Sequence, residues 1–241
     1  MELVERDGDR CWYENGVLHR ENGPAMEWSD GSKFWYFHGK LHREDGPAVE
    51  EFNGRKEWWV LGECHRTDGP AIEDDDLKEW WEHGKFLREE WKVNGEFHRK
   101  DGPAITKSDG FESWYVVGVL HRTDGPAILH PDGSEDWYID GERHREGGPA
   151  VIRADGTKLW YEYGKLHRED GPAIIFPNGT KRWYYDGKHH RADGPAVEFQ
   201  SGYNEWWING KKIENMAALR ILRRLETLSK SLKKFKVCNE N

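Results

Sequence analysis

The sequence predicts an all-β repeat array: an elongated stack of antiparallel β-hairpins, about two strands per 23-residue unit, followed by a C-terminal amphipathic α-helix. Three observations carry this. A Trp that opens a W-[YW] or similar pair recurs at Trp12, Trp35, Trp58, Trp80, Trp91, Trp114, Trp137, Trp160, Trp183 and Trp206. These follow one regular period, broken only by a slightly short step after Trp58 and a half-step after Trp80, and self-similarity at a fixed period marks a repeat architecture. Eight units keep H-R and eight keep G-P-A. Turn pairs recur as well, at Asn15-Gly16, Asp140-Gly141 and Asp186-Gly187, and such pairs supply the positive φ that two-residue hairpins need.

Residues 1–11 form an N-terminal lead-in. Residues 12–210 hold eight full units, a half-unit at 80–90 and a partial unit at 206–210. The best-formed unit is WYEYGKLHREDGPAIIFPNGTKR, 160–182. Its aromatic opening is β-prone and closes at Gly164. A second extended segment then runs through L-H-R, bends at x-D-G and continues through P-A-[VI]. Gly before Pro is held extended, and Pro excludes a helix there. The unit closes at a second turn, as at Asn53-Gly54, Asp132-Gly133 and Asn178-Gly179. Two strands and two turns fit in one such unit, and each unit contacts only its neighbours.

The regular pattern breaks once. After Trp58 the unit is one residue short, and its closing turn is replaced by Glu73, Asp74, Asp75 and Asp76. Trp80 opens a half-unit in which Leu87-Arg88 replaces H-R and G-P-A is missing. A half-step omits one strand's worth of chain, so the columns must shift, kink or be bridged. Residues 211–241 then change character: Ala218, Ile221, Leu225, Leu228, Leu232 and Phe235 fall at helical 3/4 spacing, with basic residues off the stripe. This basic helix and tail has three readings: a cap for the open end of the array, a short coiled-coil partner for a second copy, or a basic face for a membrane, nucleic acid or protein.

Composition sets a conflict that the repeat resolves. The chain is 36% hydrophobic and 34% charged, with a mean hydropathy of -0.99, values that usually accompany disorder. Fourteen Trp argue the other way, because each carries a large apolar surface. Trp and the following aromatic alternate across a strand. Nine of the ten second positions are aromatic, with Lys92 the exception. Either both faces are covered or one displays an aromatic stripe.

Three widely spaced Cys, with no C-x-x-C, speak against a disulfide framework or zinc site and for a reducing compartment. A charged start and no long apolar run point to a cytoplasmic protein without a leader or membrane span. The net charge of -9 is uneven. Residues 211–241 carry nine basic and three acidic side chains, net +6, and residues 1–210 carry 27 and 42, net -15. Such a body repels nucleic acid and anionic lipid.

The repeated His and Arg invite a metal or catalytic reading. Two strands per unit at about 4.8 Å put equivalent atoms roughly 10 Å apart, too far to share one ion with ligands about 2 Å from it. Repeated equivalent His also lack the differentiated setting that catalysis needs. The expectation is a structural ladder, with His42, Arg43, Asp45, His121, Arg122, Asp124, His167, Arg168 and Asp170 as its clearest members. His packs on a neighbouring unit's aromatic, and Arg pairs with the Asp of x-D-G. Asp74, Asp75, Asp76, Trp80, Trp81, Arg88 and Trp91, at the break, are the candidate partner-binding residues. Ile221, Leu225, Leu228, Leu232 and Phe235 are the candidate oligomer or cap residues.

The 23-residue period, W-x-x-x-G, a downstream Gly and a closing N-G resemble the MORN repeat, more closely its W-Y-x-x-G-K variant. The fuller H-R-x-D-G-P-A signature is similar to repeat proteins of large bacteriophages and giant DNA viruses. The resemblance covers 12–210 and departs from the MORN pattern in having G-P-A where that pattern has a glycine pair. It implies a twisted antiparallel array used for protein contacts, assembly or, in some members, lipid-surface binding, the last opposed here by the acidic body, with no shared catalytic motif. The expected function is a non-catalytic interaction protein: an acidic rod that binds a protein partner, such as a viral inhibitor of a host factor. Alternatives are a protein that sequesters a nucleotide-like small ligand on its aromatic and His-Arg columns, and an oligomeric scaffold. No cofactor or metal is expected.

Overall fold

The computed structural model describes residues 1–214. Residues 215–241, which hold Ile221, Leu225, Leu228, Leu232 and Phe235, lie outside the described residues. Among the described residues every regular element is a β-strand, and most are two residues long. The chain divides into two compact units, Met1–Val119 and Leu120–Asn241.

Each repeat builds four short strands, not two. In 160–182, Tyr161–Glu162 pairs with Lys165–Leu166 as a separate hairpin. Ile174–Ile175 instead pairs with Lys158–Leu159 on one side and Lys181–Arg182 on the other, extending an antiparallel ladder. The L-H-R and P-A-I segments therefore belong to different ladders, because the H-R-x-D-G-P stretch between them is a closed loop rather than a bent strand. Trp160 is the switch point. Its N–H donates to the Ala173 carbonyl at 2.8 Å, and its carbonyl accepts from the His167 N–H at 3.1 Å. One extended segment thus leaves the main ladder and enters the side hairpin at the Trp. The Ala of every G-P-A is 0% exposed: Ala25, Ala48, Ala71, Ala104, Ala127, Ala150, Ala173 and Ala196. Only a small residue fits at that crossing.

The side-hairpin turns hold a non-glycine residue and a glycine at positive φ, such as Tyr163 at 41° and Gly164 at 76°. That is the geometry of a two-residue type I′ turn. Leu61 and Val117 occupy the same strained position, at 50° and 47°, where Asn, Asp or Gly would sit more easily. Neighbouring side hairpins are tied by backbone bonds. Gly187 N–H donates to the Leu166 carbonyl at 2.9 Å, and Arg168 N–H to the Tyr184 carbonyl at 3.4 Å.

In Met1–Val119 the ladder runs from Glu2–Arg6 and Asp9–Glu14 through to Ile105–Lys107 and Glu112–Ser113, each strand antiparallel to the next. In Leu120–Asn241 it runs from Ile128–Leu129 to Asn204–Glu205 in the same manner.

The half-unit is absorbed without a gap. Leu77–Glu82 pairs with Lys85–Val93 in one long hairpin, with a bulge at Trp80/Trp81. The return strand does not break off into a loop; its Arg88, Glu89 and Glu90 pair directly with Lys107, Thr106 and Ile105. This changes polarity. Lys56–Glu57 and Leu77–Glu82 run in one direction, while Lys85–Val93 and Glu112–Ser113 run in the other. Trp58 and Trp80 are therefore reached at one long side of the ladder, and Trp91 and Trp114 at the opposite side. Omitting a single reversal of the chain inverts the side from which every later hairpin of this unit emerges.

Candidate interaction site

The H-R-x-D-G-P loop is the repeated chemical feature, and its geometry starts from the Arg. In 160–182, Arg168 Nε donates to Asp170 Oδ1 at 2.8 Å, and Nη1 donates to the Pro172 carbonyl at 3.4 Å. The guanidinium lies 4.2 Å from the centre of the Trp160 ring. A Cβ on Gly171 would stand 3.0 Å from Arg168 Cζ, so glycine is needed to let the Arg fold under the loop. Where the sequence supplies a Glu three positions past the Pro, Arg gains another acceptor: Arg43 Nη1 reaches Glu50 at 3.0 Å, Arg66 reaches Glu73 at 3.0 Å and Arg191 reaches Glu198 at 2.7 Å. Arg43 pairs with Asp45 at 2.9 Å and Arg122 with Asp124 at 2.8 Å.

This arrangement turns the cation inward and the carboxylate outward. The side chain of Arg168 is 23% exposed and that of Asp170 is 82% exposed. The pairs Arg43–Asp45, Arg66–Asp68 and Arg191–Asp193 repeat the contrast. The hydrogen bond and charge of the neighbouring Arg hold the carboxyls of Asp45, Asp68, Asp124 and Asp170 below the ordinary carboxylate range.

The His of H-R ties successive units together. His167 Nδ1 accepts the backbone N–H of Asp186, in the next unit's turn, at 3.2 Å. His42 accepts from Leu61 at 3.3 Å, and His121 from Asp140 at 3.2 Å, with Asp140 Oδ1 also 2.9 Å from that ring nitrogen. The same bond recurs at His19, His65, His98, His144 and His190. The donor is each time the residue at positive φ, so the imidazole fixes the strained corner of its neighbour. Ring contacts accompany it: His167 with Tyr185 at 4.5 Å, and His144 stacked on Tyr163 at 4.2 Å. The strand pattern held no hint of this tie, because it joins the His of one unit to a turn position of the next whose residue type varies.

At the break, Asp74 forms the turn that enters the long hairpin: its N–H donates to the Leu77 carbonyl at 2.8 Å, and its Oδ1 accepts from Asp75 N–H at 2.8 Å. Asp74 also lies 3.6 Å from Arg55. Asp75 and Asp76 are exposed. Arg88 stacks on Trp80 at 3.9 Å, keeping the regular Arg-on-Trp contact without a His before it. Trp81 packs against the buried cluster of Cys64, Ala71 and Ile72, and its Nε1 donates to Glu79 at 2.6 Å. Arg99 stands 4.4 Å from the Trp91 ring. The long hairpin thus gathers Trp80, Trp81, Arg88 and Trp91, all half-buried. Its exposed strand residues are mixed, Lys78, Glu82, Lys85, Leu87 and Val93, and the exposed acids Asp75 and Asp76 lie in the turn before it.

Two further clusters escaped the sequence reading. Asp136, 2% exposed, accepts from Arg143 at 3.1 Å and Arg153 at 3.0 Å, and contacts His130 Nε2 at 2.9 Å. Glu14, His19 and His38 place one ligand atom each within 4.8 Å of one another, a non-equivalent trio that spacing of identical positions could not reveal. His19 Nδ1 is occupied by the His38 N–H at 3.1 Å. A neutral ring then carries its proton on Nε2, which faces Glu14 at 3.4 Å. A metal could take Nε2 only by displacing that proton, so the trio fits a His–Glu contact beside the His19–His38 ring stack at 4.5 Å better than an ion site.

Slots open between successive loops in Leu120–Asn241. One, of about 920 Å³, is lined by loops 168–172 and 190–193 and by residues 183–185, with the Tyr185 ring beside His167 and His190 and the Tyr184 ring turned away to His189. The next, of about 360 Å³, lies between loops 144–148 and 167–170 over Trp160, Tyr161 and Glu162.

No protein-family model matches the chain, and no curated protein matches it.

Proposed function

We propose that the chain is a non-catalytic interaction protein whose hairpin array binds a protein partner through its acidic loops. One observation carries this reading: the Arg of the loop turns inward onto a Trp and the Asp stays at the surface, as in Arg43–Asp45 and Arg168–Asp170, while Asn22 and Gly147 replace the Asp in two of the loops. An array of net charge -15 over 1–210 then attracts a basic surface and steers its approach. The motif resemblance to MORN-type and viral repeat proteins supports a contact or assembly role, with a host factor as one class of partner. The sequestering alternative loses support from the same geometry, since Nε and Nη1 of Arg168 and Arg191 are already committed to Asp170, Asp193 and the Pro172 and Pro195 carbonyls. No helix among the described residues is long and apolar enough to cross a membrane.

The test is binding of the full chain to basic and acidic folded proteins across ionic strength. Selective retention of basic proteins that fades as salt rises supports the reading. Retention that ignores both charge and salt would falsify it.

A further inference from the structure

We infer that the two slots between loops 144–148, 167–172 and 190–193 each receive one Lys or Arg side chain of an extended basic segment, with the basic side chains at every third position; this rests on the acidic-array reading above.

The lining supplies the chemistry. Tyr185, its ring beside His167 and His190, floors the larger slot, and Glu169, Asp170 and Asp193 stand around it. The smaller slot is lined by Trp160 with Glu146, Glu162 and Asp170 around it, Glu162 standing where the larger slot has Tyr185. An aromatic floor with carboxylates on the rim suits a cationic side chain, whose stem packs on the ring while its charge meets the acids. The Arg residues in the walls do not oppose this. Arg168 and Arg191 have side chains only 23% and 22% exposed, and their Nε and Nη1 donors are committed to Asp170, Pro172, Asp193, Pro195 and Glu198. Each slot holds three carboxylates against two guanidiniums, Arg168 and Arg191 in the larger and Arg145 and Arg168 in the smaller, so the excess charge is negative.

The spacing follows from the ladder. The two slots share the loop that carries Asp170 and are one unit apart. Two ladder strands per unit at ~4.8 Å set that step at roughly 10 Å. An extended polyproline-type chain advances ~3.1 Å per residue, so three residues cover ~9 Å. Every third side chain of such a segment meets the next slot. A helix, rising ~1.5 Å per residue, does not match at that spacing.

The test uses the full chain and two fluorescent peptides of equal Lys count, (Lys-Pro-Ser)n and (Lys-Pro-Ser-Ser)n, with affinity read by anisotropy. The peptide with Lys at every third position should bind about tenfold more tightly. A Glu146→Gln/Glu169→Gln variant, which leaves the Arg–Asp closures intact, should weaken that binding by about threefold or more while circular dichroism stays unchanged. Equal affinity for the two peptides overturns the inference. If neither peptide binds but folded basic proteins do, the slot inference fails and the acidic-array reading survives. If no basic ligand binds, both fall.

Discussion

At the scale of single residues, the array is held by polar side chains doing what core side chains do elsewhere. Arg43 closes its loop through Asp45, Pro47 and Glu50 and covers Trp35 at 4.1 Å. Arg43→Ala should therefore cost about 2 kcal/mol, read as a lower thermal midpoint. Arg43→Lys should recover little, because an ammonium cannot stack and reach three acceptors together. His167→Ala leaves the Asp186 N–H without its acceptor and should cost about 1–2 kcal/mol; an unchanged midpoint would contradict the unit-to-unit tie. Acid should act through the loops. The carboxyls of Asp45, Asp68, Asp124 and Asp170 sit lower in the folded than in the unfolded chain. Their contribution is complete above the unfolded value, near 4, and is lost as pH falls through the lower folded values. Cys64 is a separate case: burial, with Glu57 and Glu79 nearby, pushes its thiol up to about 12. At neutral pH, alkylation of Cys64 should wait for unfolding, and rapid labelling of the native protein would contradict its placement.

At the scale of elements, the two turn types and the period were legible because Gly, Asn, Asp and Pro report backbone geometry locally. The number of strands was not. Whether L-H-R continues into P-A-I depends on Arg168 reaching back under its loop to Trp160, a contact that no propensity encodes. The same holds for the Trp column, whose rings the sequence allowed to be either covered or displayed. The structure covers the ring of Trp160 with the guanidinium of Arg168, from the far end of the same side hairpin. Turn residues give a direct handle on this level. Val117 is 64% exposed and held at φ 47°, a position costing a β-branched residue about 1–2 kcal/mol. Val117→Asn should raise the thermal midpoint, with a gain of about 1 kcal/mol.

At the scale of the molecule, charge and repetition set the behaviour. An acidic body repels itself, so salt should stabilise it: raising ionic strength should lift the thermal midpoint by about 2–4 °C for each kcal/mol of repulsion screened. A midpoint that falls with added salt would mean that the Arg–Asp closures outweigh the repulsion. The half-unit at 80–90 adds a rule about length. Each full repeat contributes an even number of ladder strands, so gaining or losing a whole repeat preserves the direction in which the later hairpins of the same compact unit face. Gaining or losing half a repeat contributes an odd number and swaps left for right. Duplication in this chain therefore has two grammars, one that lengthens a surface and one that starts a second surface on the other side.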